Sequence, residues 1–396
     1  LAALTVILGA VPIILAPPAA ADFGDLSLPV YSQNTNGDFL VIGNTLLTCR
    51  SSDPRCGPAQ SGVRYHNQDV ELVRVGPGAG FREDSTTATL TLPGGATVDR
   101  AYMYWGANLG GRRGTSCTDD AAPRSVDLTA ARRAQIRVGS GAIADVGSAT
   151  NGFRFWQDSV TPIVYQGRVD VTDLFVGAAG TVPVTVGGVR TAVGATNCHA
   201  GWSIAVVYSF PGTCTSSSYR AISIYDGLLR QTDRSPSTRT TLSGFVTEGG
   251  PVRVGVLAWE GDRALPGDSM QLGSTLLSGT ASDGVESAPD NFFNGATDGD
   301  PQQPNYVNSL GIDAKTVVGP SIPPGTASVD VTFSTSQDNF YAGMFATSFP
   351  VRCFASITKT QEVNDVAVAP GDVASVERGD VITYRLGVRS AGSIGL

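Results

Sequence analysis

Histidine and lysine are nearly missing from this chain. Its 396 residues hold two histidines, His66 and His199, and two lysines, Lys315 and Lys359. So few histidines count against His-based catalysis and His-rich metal sites. Basic charge is also short: 27 Lys and Arg against 35 Asp and Glu give a net charge of −8. A nucleic-acid binder carries the opposite sign, so that partner class is excluded. There is no Cys-x-x-Cys, strict helical periodicity is nearly absent, and past the N-terminus no apolar run nears the ~18 residues a membrane helix needs.

What is present begins with an apolar run, Leu1–Leu15, followed by Pro17-Pro18 and Ala19-Ala20-Ala21. An apolar core ahead of a small-x-small site reads as an export signal cleaved after Ala21. The run starts at Leu with no basic stretch before it, so residues 1–21 are read as an N-terminally truncated signal. Six cysteines fit export: Cys49, Cys56, Cys117, Cys198, Cys214 and Cys353. An even set in an exported chain suggests disulfides, with 15 connectivities open. Cys49 and Cys56 enclose a short polar loop, so they are expected to pair locally. Cys117–Cys198 and Cys214–Cys353 follow partly by elimination.

Short apolar alternations punctuated by Gly, Pro, Asn and Asp dominate the chain. Examples are Ala88–Leu92, Val182–Val186, Trp202–Tyr208, Val252–Trp259 and Ala327–Phe333. Strands at this spacing predict an all-β protein with a large antiparallel β-sandwich. It is expected to be jelly-roll-like, from two packed lobes, over residues 22–352. The best helical turn is Val171–Phe175, behind Asp170. Alternating Tyr102, Tyr104, Phe153, Phe155 and Trp202 read as sandwich core rather than as a sugar-stacking face. Residues 355–396 differ. They hold strand signals at Ser356–Thr360, Val366–Val368 and Gly379–Val388, too few to close an immunoglobulin-like sandwich of about 100 residues. They are read as the truncated start of such a unit.

This tail, from Lys359-Thr360 through Gly379-Asp380-Val381-Ile382-Thr383-Tyr384 to Ser390-Ala391-Gly392, resembles the start of the bacterial DUF11, or conserved-repeat, surface domain. It departs by an insertion-like Val373–Arg378 between two Gly-Asp turns. The body resembles the N-terminal region that precedes such repeats, notably in actinobacterial proteins. The residues that carry this are Ala101-Tyr102-Met103-Tyr104-Trp105-Gly106, Ala200–Tyr208, Ile224-Tyr225-Asp226-Gly227, Glu260-Gly261-Asp262, Gly267-Asp268-Ser269, Asn291-Phe292-Phe293-Asn294 and Asn305-Tyr306-Val307. The resemblance implies a secreted, wall-associated head on a repeat stalk, and no chemistry.

Among acidic groups, Glu260, Asp262 and Asp268 are the densest cluster, at the end of an apolar strand. Three readings compete. Gly261-Asp262 and Gly267-Asp268 suit ordinary turns. The same carboxylates suit a calcium site, since a hard cation accepts clustered oxygens with loose geometry. Paired carboxylates also hydrolyse glycosides. The order of preference is turn, then calcium, then catalysis. Asp298-Gly299-Asp300 reads as turn chemistry. Cys198 beside His199 is read as disulfide-bonded, not nucleophilic. Lys359 is a candidate for a Lys–Asn isopeptide cross-link whose partner would lie past Leu396. The sequence therefore reads as a non-enzymatic, secreted cell-surface protein that binds carbohydrate or another envelope component, with no membrane span after signal cleavage. The alternative is an extracellular glycan hydrolase using carboxylates near Glu260.

Overall fold

The computed structural model describes residues 26–63, 67–110, 117–118, 128–156, 164–194, 198–212, 218–234, 237–353, 355–369 and 371–390. The signal expected over 1–21 lies outside them, as do His66 and Cys214.

The chain is all-β, as its alternation predicts. Nine strands share one hydrogen-bonded order: Ile312–Ile322, Gly250–Trp259, Phe340–Pro350, Tyr219–Gln231, Pro29–Thr45, Ala200–Ser209, Thr97–Asn108, Val164–Asp170 and Phe153–Trp156. The central strand, Pro29–Thr45, changes partner midway. Its first half, up to Asn36, pairs with Tyr219–Tyr225, and its second half, from Gly37, pairs with Gly201–Ser209. Gly37 makes the crossing: a Cβ there would lie 1.9 Å from the Tyr208 carbonyl oxygen. The two halves of the sheet thus fold against each other.

Alternation then assigns each face. Phe39, Val41, Tyr104 and Val207 from one half meet Ile224, Leu257, Trp259 and Met344 from the other in one buried core. Gln166 crosses this core, donating to the Gly227 and Gly343 carbonyls at 2.9 Å and accepting the Trp259 indole N–H at 2.8 Å. The opposite faces carry two further sheets. Met103, Trp105 and Trp202 pack with Leu90, Ile136 and Val186 of the four-stranded sheet built on Ser85–Thr91, Thr181–Gly187, Arg133–Val138 and Ala144–Gly147. Val254, Phe345 and Phe349 pack with Leu242, Met270 and Phe333 of the sheet built on Ser237–Ser243, Ser328–Thr335, Asp268–Leu272 and Thr275–Leu276. Four layers result, which is two sandwiches back to back.

Of the five alternating aromatics, Tyr102, Tyr104, Phe153 and Trp202 are core, while Phe155 is 39% exposed. The expected helical turn is a 3-10 helix, Thr172–Phe175, its first backbone N–H held by the Asp170 carboxylate at 2.9 Å. Cys49 pairs with Cys56 and Cys117 with Cys198, and Cys353 is also disulfide-bonded. The tail strands Ala355–Val363, Val366–Val368 and Ile382–Ser390 form a three-stranded sheet. Arg100 reaches Asp372 there at 3.2 Å. None of the helices among the described residues is long and apolar enough to cross a membrane.

Candidate functional site

Sheet register brings together carboxylates that are far apart in sequence. Trp259 lies opposite Ile312 on one side and Tyr341 on the other. The next residue, Glu260, therefore leaves the strand beside Gly311 and close to Asp338, which precedes the Phe340 strand. Its backbone N–H donates to the Gly311 carbonyl at 2.7 Å. The Asp262 N–H donates to the Asp338 carboxylate at 3.3 Å. Asp268 opens the neighbouring strand, and its carboxylate accepts the Phe293 N–H at 2.7 Å. Glu260, Asp262, Asp268 and Asp338 are all buried.

The surroundings raise the proton affinity of all four. Burial, then the charges of Asp262 and Asp338, raises the Glu260 carboxyl far above the usual carboxylate range. Burial also dominates at Asp262, pushed up to about 7 with help from Asp268. Asp338 rises to about 8 from burial and from Asp262. Asp268 is raised well above its ordinary value, again first by burial. Like charges in a dry site cannot all ionise, so their protons come off in separated steps.

Glu260 is also strained. Its φ is 70°, in the left-handed region, beside Leu310 at 56° and Gly311 at 100°. Non-glycine residues in that region cost roughly 1–3 kcal/mol and gather at functional sites. A Cβ on Gly311 would lie 3.0 Å from Asn67 Nδ2, 3.2 Å from His199 Cβ and 3.6 Å from Glu260 Cα, so these three residues meet there. His199 is fully buried and neither ring nitrogen has a hydrogen-bond partner among the described residues. Burial lowers it to about 3, so the imidazole stays neutral. Asn67 approaches Glu260 without a hydrogen bond of good geometry, and Glu260 Oε1 is likewise unsatisfied. Buried unsatisfied polar atoms are rare and costly, and here several share one locus. Gln68 lies against the cluster, its amide donating to Asp262 at 3.0 Å.

Two open grooves lie elsewhere. One of 760 Å³ includes Phe245, Thr247, Pro324 and Arg352 in its wall, and one of 550 Å³ includes Arg82, Arg133, Asp145 and Arg190. Neither touches the carboxylates.

The sequence singled out Glu260, Asp262 and Asp268, and the fold does bring them into one cluster. Among the described residues, however, no three His, Cys, Asp or Glu side chains are arranged to hold a metal ion. The Asp298 carboxylate, expected to serve its own turn, instead links distant segments, accepting the Ser282 and Thr316 N–H groups at 2.6 Å. Sequence reasoning missed Asp338 and Asn67. No local signal marks either: strand register carries Asp338 to Glu260, and a turn remote in sequence carries Asn67. Lys359 sits with its Nζ 4.1 Å from the Tyr384 ring centroid.

No family model and no curated protein matches the chain. Solved structures do match. A glycosylasparaginase, PNGase F from Flavobacterium meningosepticum, is 13% identical over 68% of this chain and 90% of its own, with a TM-score of 0.22. Recombinant N-glycanase F is 13% identical over 80% and 96%, with a TM-score of 0.23. A peptide-N(4)-(N-acetyl-β-D-glucosaminyl) asparagine amidase is 13% identical over 79% and 97%, with a TM-score of 0.22. Likeness at that level assigns no residue a role. The three are named as enzymes, against the expectation of a non-enzymatic head.

Proposed function

We propose that the chain is an exported hydrolase acting on glycans through the carboxylates around Glu260. One observation carries the reading: a strained, buried Glu260 whose carboxyl stays protonated beside Asp262 and Asp338, which titrate near neutrality. Hydrolysis of a glycosidic bond needs one carboxylic acid to protonate the leaving group and one carboxylate to act on the opposite side. Environments that push carboxyl pKa values apart supply that division of labour. Glu260 is assigned as the acid, and the Asp262–Asp338 pair as the base. Neutral His199 and Asn67 face the same point and are assigned to hold substrate oxygens or the attacking water.

Export is supported by the disulfides and the N-terminal apolar run, and surface association by the DUF11-like tail. Glycans are the polymers such a protein meets. The test is release of reducing ends or free glycan from a panel of wall polysaccharides and glycopeptides. Glu260→Gln and Asp338→Asn should each lower the rate by at least about 100-fold, the scale of acid–base catalysis. A folded wild-type chain inactive across the panel would sink the reading.

A further inference from the structure

Lys315 is the one lysine inside the body, and it is fully buried. Its Nζ lies 2.8 Å from Asp313 Oδ1, 2.7 Å from Ser287 Oγ and 3.5 Å from Asn294 Oδ1, with the Phe292 ring centroid at 4.8 Å. It also donates to the Phe292 carbonyl. The Asn294 carboxamide is fixed with its oxygen toward the amine. Nδ2 donates to the Glu286 carbonyl at 2.9 Å, and Oδ1 accepts the Ser287 hydroxyl at 3.0 Å. Asp313 anchors the loop by accepting the N–H groups of Asn294, Gly295 and Ala296 at 3.1 Å. Amine, carboxyl and carboxamide thus share one buried site.

The choice of lysine is informative in a chain where 27 cations include only two lysines. Arginine serves the less buried position beside Asp226, where Arg168 pairs at 2.7 Å. Arginine does not shed its proton in a protein, whereas a buried lysine can become a neutral nucleophile.

We propose that Lys315 and Asn294 are joined by an isopeptide bond, formed with Asp313 as proton carrier. Asp313, with Oδ1 2.8 Å from Nζ, takes one proton from the ammonium. The freed amine attacks Asn294 Cγ, forming the new C–N bond. Asp313 returns its proton to the Asn294 nitrogen, the old carboxamide C–N bond breaks, and ammonia departs with the second amine proton as ammonium. Nothing is oxidised or reduced. The bond would tie the Asn294 loop to the edge strand Ile312–Ile322, and it would remove the buried cation nearest Asp268.

Mass spectrometry of the full chain, reduced and alkylated, tests this. The expected mass is that of the sequence less one ammonia. Trypsin should leave one peptide from Ala264 to Arg352, because the acylated Lys315 is not cut. Chymotrypsin should then release a branched peptide holding both residues. Lys315→Arg and Asp313→Ala should each restore the unmodified mass. Free cleavage after Lys315 at the unmodified mass would overturn the proposal. So would an ammonia loss that hydroxylamine cleaves at Asn294-Gly295 while the Lys315 peptide stays linear, because that marks a cyclic imide. A cross-link that persists in Asp313→Ala would overturn the role of Asp313.

Discussion

At the scale of residues, Glu260 concentrates what is unusual: burial, a left-handed backbone and two carboxyl neighbours. Its environment has a consequence for pH. A carboxyl raised by folding means the folded chain binds a proton that the unfolded chain has already released above its ordinary value. Stability is then greatest at mildly acidic pH and is lost as pH rises through about 7 for Asp262 and about 8 for Asp338. Asp84, raised to about 7 by burial, adds to the trend. His199 acts oppositely, because its lowered value withdraws stability only as pH falls from 6.5 toward about 3. Above 6.5 the carboxyls act alone, each with a slope of ~1.4 kcal/mol per pH unit until its own folded value is passed, about 7 for Asp262 and Asp84 and about 8 for Asp338. Melting temperature should therefore fall between about pH 5 and about pH 8. Glu260→Gln should raise stability at the alkaline end, and a melting temperature flat across that range would refute the buried acid cluster. The three sequence-chosen acids were legible because all lie within nine residues at a strand end. Asp338 was not, since only pairing of the Gly250–Trp259 and Phe340–Pro350 strands brings it there.

At the scale of elements, close backbone approach decides where strands cross. Gly106 packs on Trp259, where a Cβ would meet the ring at 2.8 Å and the Tyr165 carbonyl at 2.6 Å. Gly106→Val should destabilise by about 1–3 kcal/mol through overpacking, read in a urea melt. An unchanged midpoint would show that the two sheet halves are not in contact there. The disulfides should differ by the loops they close. Cys117–Cys198 spans 81 residues and Cys49–Cys56 spans 7. Restricting the unfolded chain predicts losses of about 4 and about 2 kcal/mol respectively when each pair is changed to serine. The reverse order in denaturant melts would point instead to a folded-state role for the short loop. Local pairing at Cys49 follows from loop closure alone. The long pair needed the fold, which sets Cys117 on a short strand paired with Val193–Gly194, just ahead of Cys198.

At the scale of the whole molecule, the described residues of the tail meet the body at Asp372 and Gly371. Arg100 and Asp372 are partly exposed partners, worth at most about 1 kcal/mol. Gly371 lies against Tyr31. Ile382, Tyr384 and Leu386 alternate along one exposed strand face of the tail. A chain ending at Cys353 should therefore keep its four-layer core and melt cooperatively, within a few degrees of the full chain. A broad, non-cooperative melt would place the tail inside the folding unit.

Composition and alternation by themselves determined the class of this protein. Period-two apolar runs between turn residues cannot bury their faces except as packed sheets, and an even cysteine set pointed to disulfides. Tertiary structure alone decided the rest. A strand pattern states that two faces exist, but not which sheet each will cover. Hence the partner switch at Gly37, the meeting of Glu260 with Asp338, and the placing of Lys315 against Asn294 all depend on register between distant strands. Register is set by the sum of many contacts across the sheet, and no local stretch of sequence contains it.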